Sequence, residues 1–296
     1  MMMQLKNKVR YWSENECFDP ATREQASRML DENNQKEMEE CFKHVLEFGT
    51  GGLRGPMGVG TNRMNRYTVM QATEGLARVI ELENTQSQNV TSHSGVVIGY
   101  DSRNHSKNFA QASAEVLCAH GIKVYLFSEI APTPLVSCEL LRCSARAAII
   151  ITASHNPPSD NGYKVYWSHG GQIIPPVDGA IIQEVKKISR IEDIPIMNLN
   201  EAEKKGLLAK KPWVMVAPMV SNKNKFIQEM KTKYGAVTIG FSGFSGGYLK
   251  KKCSIPIYSN INNYGISEDI SHIIMHLVMQ HIKIKNLVRN KKNPIL

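Results

Sequence analysis

Read for hydrophobic and polar positions, the middle of the chain alternates between two patterns. Gly95–Tyr100, Lys123–Phe127 and Ala147–Thr152 are short, largely apolar runs, which predict strands buried on both faces. Between them, Lys107–His120 carries Phe109, Ala112, Val116 and Leu117 on one stripe, and Pro132-Thr133-Pro134 opens a second helix through Leu141. Strands alternating with helices predict an α/β fold: a parallel-containing sheet with helices on both faces. Ligands of such sheets sit at the carboxyl ends of the strands, where Asp101-Ser102-Arg103 and Ser154 both fall.

Upstream, residues 1–45 read as helical. Asp19 followed by Pro20 supplies a helix start, and Trp12 and Phe18 are packing residues of a lid or packing segment. Tyr67–Leu82 is an amphipathic helix, and 84–94 is polar, aperiodic loop. Downstream, Gly170–Pro176 reads as a turn and short strand, Asp178–Ile188 as a helix and the charged stretch Glu201–Lys211 as a linker. A smaller α/β segment closes the chain: a strand Ala236–Phe241, a Gly-rich turn into a helix at Gly243–Lys250, a strand Ile255–Tyr258 and a helix through Ile282.

Composition narrows the function classes. With 296 residues, 42% of them hydrophobic, the chain can bury one large core or two small ones. No apolar run reaches the roughly 18 residues of a membrane span, and MMMQLKNKVRYW lacks the apolar centre of a signal peptide. Six cysteines without a C-x-x-C pair or framework spacing indicate a reducing, cytoplasmic setting. The net charge of +9 is lopsided: residues 1–184 hold 17 basic and 20 acidic side chains, residues 185–296 hold 19 and 7. Without interleaved aromatics or zinc spacing, the basic half reads as a solvated lysine surface rather than a nucleic-acid interface.

The chemistry concentrates in ITASHNPPSDNGYKVYW, Ile151–Trp167. A strand ending in Ser154-His155-Asn156-Pro157 leaves a hydroxyl at the sheet's edge, beside an imidazole and among main-chain N–H groups that can cradle phosphate. Ser154 is either an activated nucleophile or a turn cap. His155 is a base or phosphate donor, or else holds the loop through its own hydrogen bonds. Lys164, flanked by Tyr163, Val165, Tyr166 and Trp167, either neutralises phosphate and shuttles a proton from a partly desolvated site, or is a surface lysine on an edge strand. In Gly49-Thr50-Gly51-Gly52-Leu53-Arg54 the glycines permit close backbone approach, and Arg54 can fork onto phosphate oxygens. Arg103 anchors phosphate or the serine loop, or pairs with Asp101, and Asn156 is a further phosphate-binding candidate.

Thr152–Pro157 with the downstream Asn161-Gly162-Tyr163-Lys164, together with Gly49–Arg54, resembles the phosphoserine domain of the α-D-phosphohexomutases, in the phosphoglucomutase/phosphopentomutase branch. The resemblance covers residues 1–208. It implies an intramolecular phosphotransferase that moves phosphate between O1 and O6, or O5, of a sugar. Its partners are sugar phosphates and bisphosphates, with neither nucleic acid nor membrane. It implies Ser154 as phosphoryl carrier and magnesium ligand, Lys164 and His155 as proton-transfer groups, and Arg54, Arg103 and Asn156 on phosphate. The family's Mg²⁺ is held by an Asp-x-Asp-x-Asp loop that this sequence lacks, so half of an active site is expected, weakly active or inactive alone.

Residues 209–296 resemble the end of a sugar-isomerase (SIS) domain of the phosphoheptose isomerase type, on Thr238-Ile239-Gly240…Gly246-Gly247 and Glu268…His276. Ser271 stands where that family has its first histidine, and Ser221–Asn224 is a degraded echo of its phosphate loop. Two other readings remain open: a sugar-phosphate isomerase working through Glu268 and His276, and a non-catalytic sugar-phosphate-binding fragment.

Overall fold

The computed structural model describes residues 2–47, 52–86, 95–211, 239–242, 245, 247–253, 255–258 and 260. The chain divides into two compact units, Met1–Pro212 and Trp213–Leu296.

The first unit is built on a six-stranded sheet of order β1-β5-β4-β2-β3-β6. The strands are β1 Leu53–Pro56, β2 Val96–Tyr100, β3 Val124–Phe127, β4 Ala147–Ile151, β5 Asp160–Trp167 and β6 Leu208–Lys211. β4, β2, β3 and β6 are parallel, while β5 runs antiparallel to both β4 and β1. The sheet is therefore mixed: the parallel part follows the predicted strand–helix alternation, and β5 returns directly from the serine loop as its antiparallel neighbour.

The helices are α1 Met2–Glu14, α2 Pro20–Asp31, α3 Gln35–Phe42, α4 Arg66–Gln86, α5 Ser106–Ala119, α6 Thr133–Arg142, α7 Val177–Lys186 and α8 Leu199–Lys204. Local chemistry sets several starts. Asp19 accepts from Thr22 N at 3.0 Å with Pro20 in the first turn of α2. Asn65 Oδ1 accepts from Tyr67 N and Thr68 N, each at 3.0 Å, while Thr68 Oγ1 accepts from Asn65 N at 3.1 Å, a reciprocal cap on α4.

Every residue of β2 and β4 is buried, because both faces are covered. Ile98, Tyr100, Ile149 and Ile151 join Leu76, Ile80, Phe109, Leu117 and Ile181 of α4, α5 and α7 in one core. On the other face, a Cβ added at Gly99 would lie 2.3 Å from Val136 Cγ2 of α6. A second core gathers Val9, Trp12, Phe18, Met29, Met38 and Phe42 of the N-terminal segment against Tyr67, Met70, Ala112 and Val116. There Trp12 and Phe18 stack at 4.4 Å, so residues 2–42 act as a packing segment.

Three expectations change. Gly170–Pro176 forms no strand, only an isolated bridge between Tyr166 and Gln172. Glu201–Lys211 is not a linker: Glu201, Glu203 and Lys204 lie on α8, and Leu208–Lys211 pairs with β3, carrying the first unit past residue 208. Lys164 lies on β5, between β1 and β4, and so not on an edge strand.

In the second unit, Ile239–Ser242 and Ile255–Tyr258 pair in parallel, joined by the helix Gly247–Lys252. Ser221–Asn224, Glu268, Ser271 and His276 lie outside the described residues, as do residues 48–51.

Candidate active site

Strand β4 delivers the serine. Its last residues run into Thr152, whose N–H donates to Gly162 O at 2.9 Å, so strand pairing continues to the foot of the loop. Thr152 Oγ1 then accepts from Ser154 N at 2.9 Å. Ser154 is exposed and left-handed, with φ 57°. That conformation costs a non-glycine residue about 1–2 kcal/mol and persists only where the surroundings hold it. The hydroxyl is 3.4 Å from His155 Nδ1, a long contact, and both groups face solvent.

The loop closes on itself through two turns, Asn156 N to Ala153 O at 3.1 Å and Asp160 N to Pro157 O at 3.0 Å. Asn156 spans it: Nδ2 donates to Asp160 Oδ2 at 2.9 Å, and Oδ1 accepts from Arg54 Nη1 at 3.3 Å. Arg54 and Lys164 share a face of the sheet. Arg54 is in register with Gly162, and Lys164 lies two residues further along β5. Burial of Lys164 holds its amine below the ordinary lysine value; the positive charge of Arg54 adds to this and Asp101 opposes it.

Arg103 points its guanidinium into the loop. Nη2 donates to Ser154 O at 2.7 Å and to Asn156 O at 2.8 Å; Nη1 donates to Pro157 O at 2.8 Å and to Asp160 O at 3.2 Å. Nε lies 3.4 Å from Asp101 Oδ2. Asp101 in turn accepts from Arg103 N at 3.0 Å and from Ser106 Oγ at 2.7 Å. Among the expected phosphate contacts, Arg103 is thus engaged with the loop's own backbone, whereas Arg54 bonds to the Asn156 side chain and shares a sheet face with Lys164.

Several supporting residues carried no role in the sequence reading. Asn161, fully buried, donates to Asn104 O at 2.9 Å and Ser106 Oγ at 3.0 Å and caps Gly162 N at 2.8 Å, locking the start of β5 to the start of α5. Tyr163 OH lies 3.1 Å from Thr73 Oγ1, itself 3.2 Å from Ser113 Oγ, so a buried hydroxyl network ties β5 to α4 and α5. The Asn161-Gly162 dipeptide was the available signal for the first; nothing in the local pattern marks the second. Gly52 sits at φ 85°, and a Cβ there would meet Tyr163 O at 2.0 Å, so the close approach expected of the glycine run occurs against β5.

A magnesium centre does not fit these residues by themselves. Among the described residues, no three His, Cys, Asp or Glu side chains gather as a metal site. The carboxylates beside Ser154 are committed, Asp101 to Arg103 and Ser106, Asp160 to Asn156 and Ser159. Nor, among the described residues, is any helix long and apolar enough to cross a membrane.

Residues 45–192 match the family model for phosphoglucomutase/phosphomannomutase, alpha/beta/alpha domain I. A phosphopentomutase of Pongo abelii is 38% identical over 227 residues, 75% of this chain and 34% of that protein. A phosphoribomutase of Saccharomyces cerevisiae is 38% identical over 184 residues, 61% of this chain and 28% of that protein. A glucose 1,6-bisphosphate synthase of Homo sapiens is 37% identical over 182 residues, 60% of this chain and 28% of that protein. The chain spans about a third of the length of the curated relatives it matches. The strand-borne serine loop, the sheet that carries it and the match across residues 45–192 together make this chain a member of the phosphoglucomutase/phosphomannomutase family, with the described site in its domain I.

Proposed function

We propose that the chain supplies the phosphoryl-carrying part of a sugar-phosphate mutase, interconverting the 1- and 6-phosphates of a hexose or the 1- and 5-phosphates of a pentose. Ser154 carries the phosphoryl group on Oγ. The Oγ–P bond breaks as a sugar hydroxyl forms a new O–P bond. The hydroxyl's proton passes to the amine of Lys164 or the imidazole of His155, and the departing Ser154 Oγ takes up a proton from the same pair of groups. Return of the other phosphoryl group of the bisphosphate to Ser154 restores the carrier, with the phosphate now on the other carbon. Arg54 counters the charge of the transferring group, and Asn156 braces Arg54. The names of the relatives, a phosphopentomutase, a phosphoribomutase and a glucose 1,6-bisphosphate synthase, support a pentose or hexose phosphate as substrate.

The observation that carries this reading is the exposed, left-handed Ser154 at the carboxyl end of β4, with Arg54 and Lys164 paired on the adjoining strands. The chain alone holds half of a site. Carboxylates for a magnesium ion on the phosphoserine come from outside the described residues, and none of the steps above passes through the metal. Six cysteines without a C-x-x-C pair or framework spacing support a reducing, cytoplasmic setting. The segment 213–296 is proposed as a partial SIS-like unit.

The test is incubation of the chain with glucose 1,6-bisphosphate, or a pentose 1,5-bisphosphate, labelled with ³²P. Label is expected on Ser154 and absent in Ser154→Ala. Aldose–ketose interconversion that survives Ser154→Ala would move the assignment to an isomerase. Sugar-phosphate binding with neither activity would leave a binding fragment.

A further inference from the structure

Main-chain carbonyl oxygens of Ser154, Asn156, Pro157 and Asp160 converge on one point, and the guanidinium of Arg103 occupies it. Oxygens turned toward a common centre repel one another, and leaving any of them without a donor in a shielded site is destabilising. A cage of carbonyls around a positive charge is how proteins hold hard cations. In this loop the cation is part of the chain. Its planar fork suits the arrangement, with donors leaving in fixed directions from two terminal nitrogens. The side chain is 14% exposed, and its remaining nitrogen faces Asp101, so the assembly is close to neutral.

One of the captured carbonyls belongs to Ser154 itself. With Thr152 Oγ1 on its N–H and Arg103 on its C=O, both main-chain polar groups of the serine are tied down. Those two bonds hold the backbone in the left-handed well that presents Oγ to solvent.

We propose that Arg103 is a positioning residue: its guanidinium is the structural cation of the serine loop, setting the conformation of Ser154, and it does not bind the substrate's phosphate. The kinetic part of this inference rests on the phosphoryl-carrier reading; the conformational part stands without it.

The test uses the full chain as wild type, Arg103→Ala and Arg103→Lys. The backbone chemical shifts of Ser154 and Asn156, read by NMR, report the left-handed turn. Arg103→Ala is expected to lose the wild-type shifts and regain them on addition of guanidinium far below denaturing concentration. Urea, the same shape without the charge, is expected to restore nothing. In Arg103→Lys an ammonium has three donors for the four carbonyls, so the shifts are expected to move partway and to be insensitive to guanidinium. If Arg103→Ala does not fold, Arg103→Lys decides. Wild-type shifts in either variant, or equal rescue by guanidinium and urea, overturn the proposal. The rate of label transfer to Ser154 should fall about 100-fold in Arg103→Ala and recover with guanidinium, as expected of a misplaced reacting group. A wild-type chain that takes up no label sinks the carrier reading, while the shifts still decide the role of Arg103.

Discussion

Replacing Gly162 by alanine places a methyl group where the sheet has no room for it. The added Cβ would lie 2.5 Å from Thr152 O and 3.0 Å from Leu53 O, main-chain atoms of the strands on either side of β5. Neither can swing away as a side-chain end would, so β5 must shift. The shift strains the bond from Thr152 N to Gly162 O, 2.9 Å long in the native chain. Overpacking of this kind costs about 1–3 kcal/mol, and the hydrogen bond about 0.5–1.5 kcal/mol. The unfolded-state entropy saved by alanine returns about 0.4–1 kcal/mol. The net expectation is a loss of about 0.5–4 kcal/mol, a fall of about 0.3–2 M in the urea midpoint at a slope of about 2 kcal/mol/M.

Gly179→Ala is the matched control. Gly179 lies in α7, with open space where its Cβ would be, so the same substitution should stabilise by about 0.5–1 kcal/mol through helix propensity. Urea titrations followed by tryptophan fluorescence would read both. Midpoints that move in the same direction, or a Gly162→Ala midpoint at or above wild type, would refute the steric argument. Because the strained bond ends two residues before Ser154, Gly162→Ala should also slow phosphoryl uptake.

His120 contacts carboxylates through both ring nitrogens, Glu74 at 2.7 Å and Glu81 at 2.8 Å, an arrangement that favours the doubly protonated imidazolium. The Glu74 bond raises its pKa above the ordinary 6.5; burial opposes this and Glu81 adds to it. Its stabilisation is complete below about pH 6.5 and lost as pH rises through the raised folded value. Burial alone would raise Glu74, but the bonds from His120 and Arg78 outweigh it and leave the carboxyl below its ordinary 4.5, so its share is present above that pH and lost as pH falls through the depressed value. Urea midpoints measured across pH should slope down on the alkaline side, and His120→Gln should remove that slope; an unchanged slope would count against the imidazolium. Label uptake runs the proposed step in reverse, with protonated Lys164 returning a proton to the departing sugar oxygen. Lys164→Arg keeps the charge but cannot release that proton, so uptake should fall and lose the decline toward alkaline pH that an acid of lowered pKa produces. Wild-type uptake in that variant would remove Lys164 from proton transfer.

Much of the parallel half of the sheet was legible in the sequence because β2, β3 and β4 are buried runs separated by striped helices with clear start signals. The Asp19-Pro20 cap and the packing of Trp12 on Phe18 were legible for the same reason, local chemistry with a local readout. β5 was legible only as the edge strand offered for Lys164, since its place inside the sheet is decided by neighbours on both sides. β6 was hidden by its lysines: Lys210 pairs with Glu203 at the sheet's margin, and among Leu208, Ala209 and Lys210 only Leu208 is buried. Asn156 bonds to Arg54, and Arg54 shares a face of the sheet with Lys164. Of the two anchoring roles the sequence offered Arg103, phosphate or the serine loop, its bonds lie on the loop, but the residue types there did not decide between them. Its partners are backbone oxygens, which carry no signature in the residue types that bear them.

The N-terminal helices bear on how this unit can be handled as a separate piece. The family match begins at residue 45, yet residues 2–42 cover Tyr67, Met70, Ala112 and Val116 on the outer sides of α4 and α5. Trimming the chain to the matched boundary would strip an aromatic-rich coat from the two helices that back the sheet, inviting self-association through the bared patch. The edge of sequence similarity and the edge of the cooperative body lie in different places.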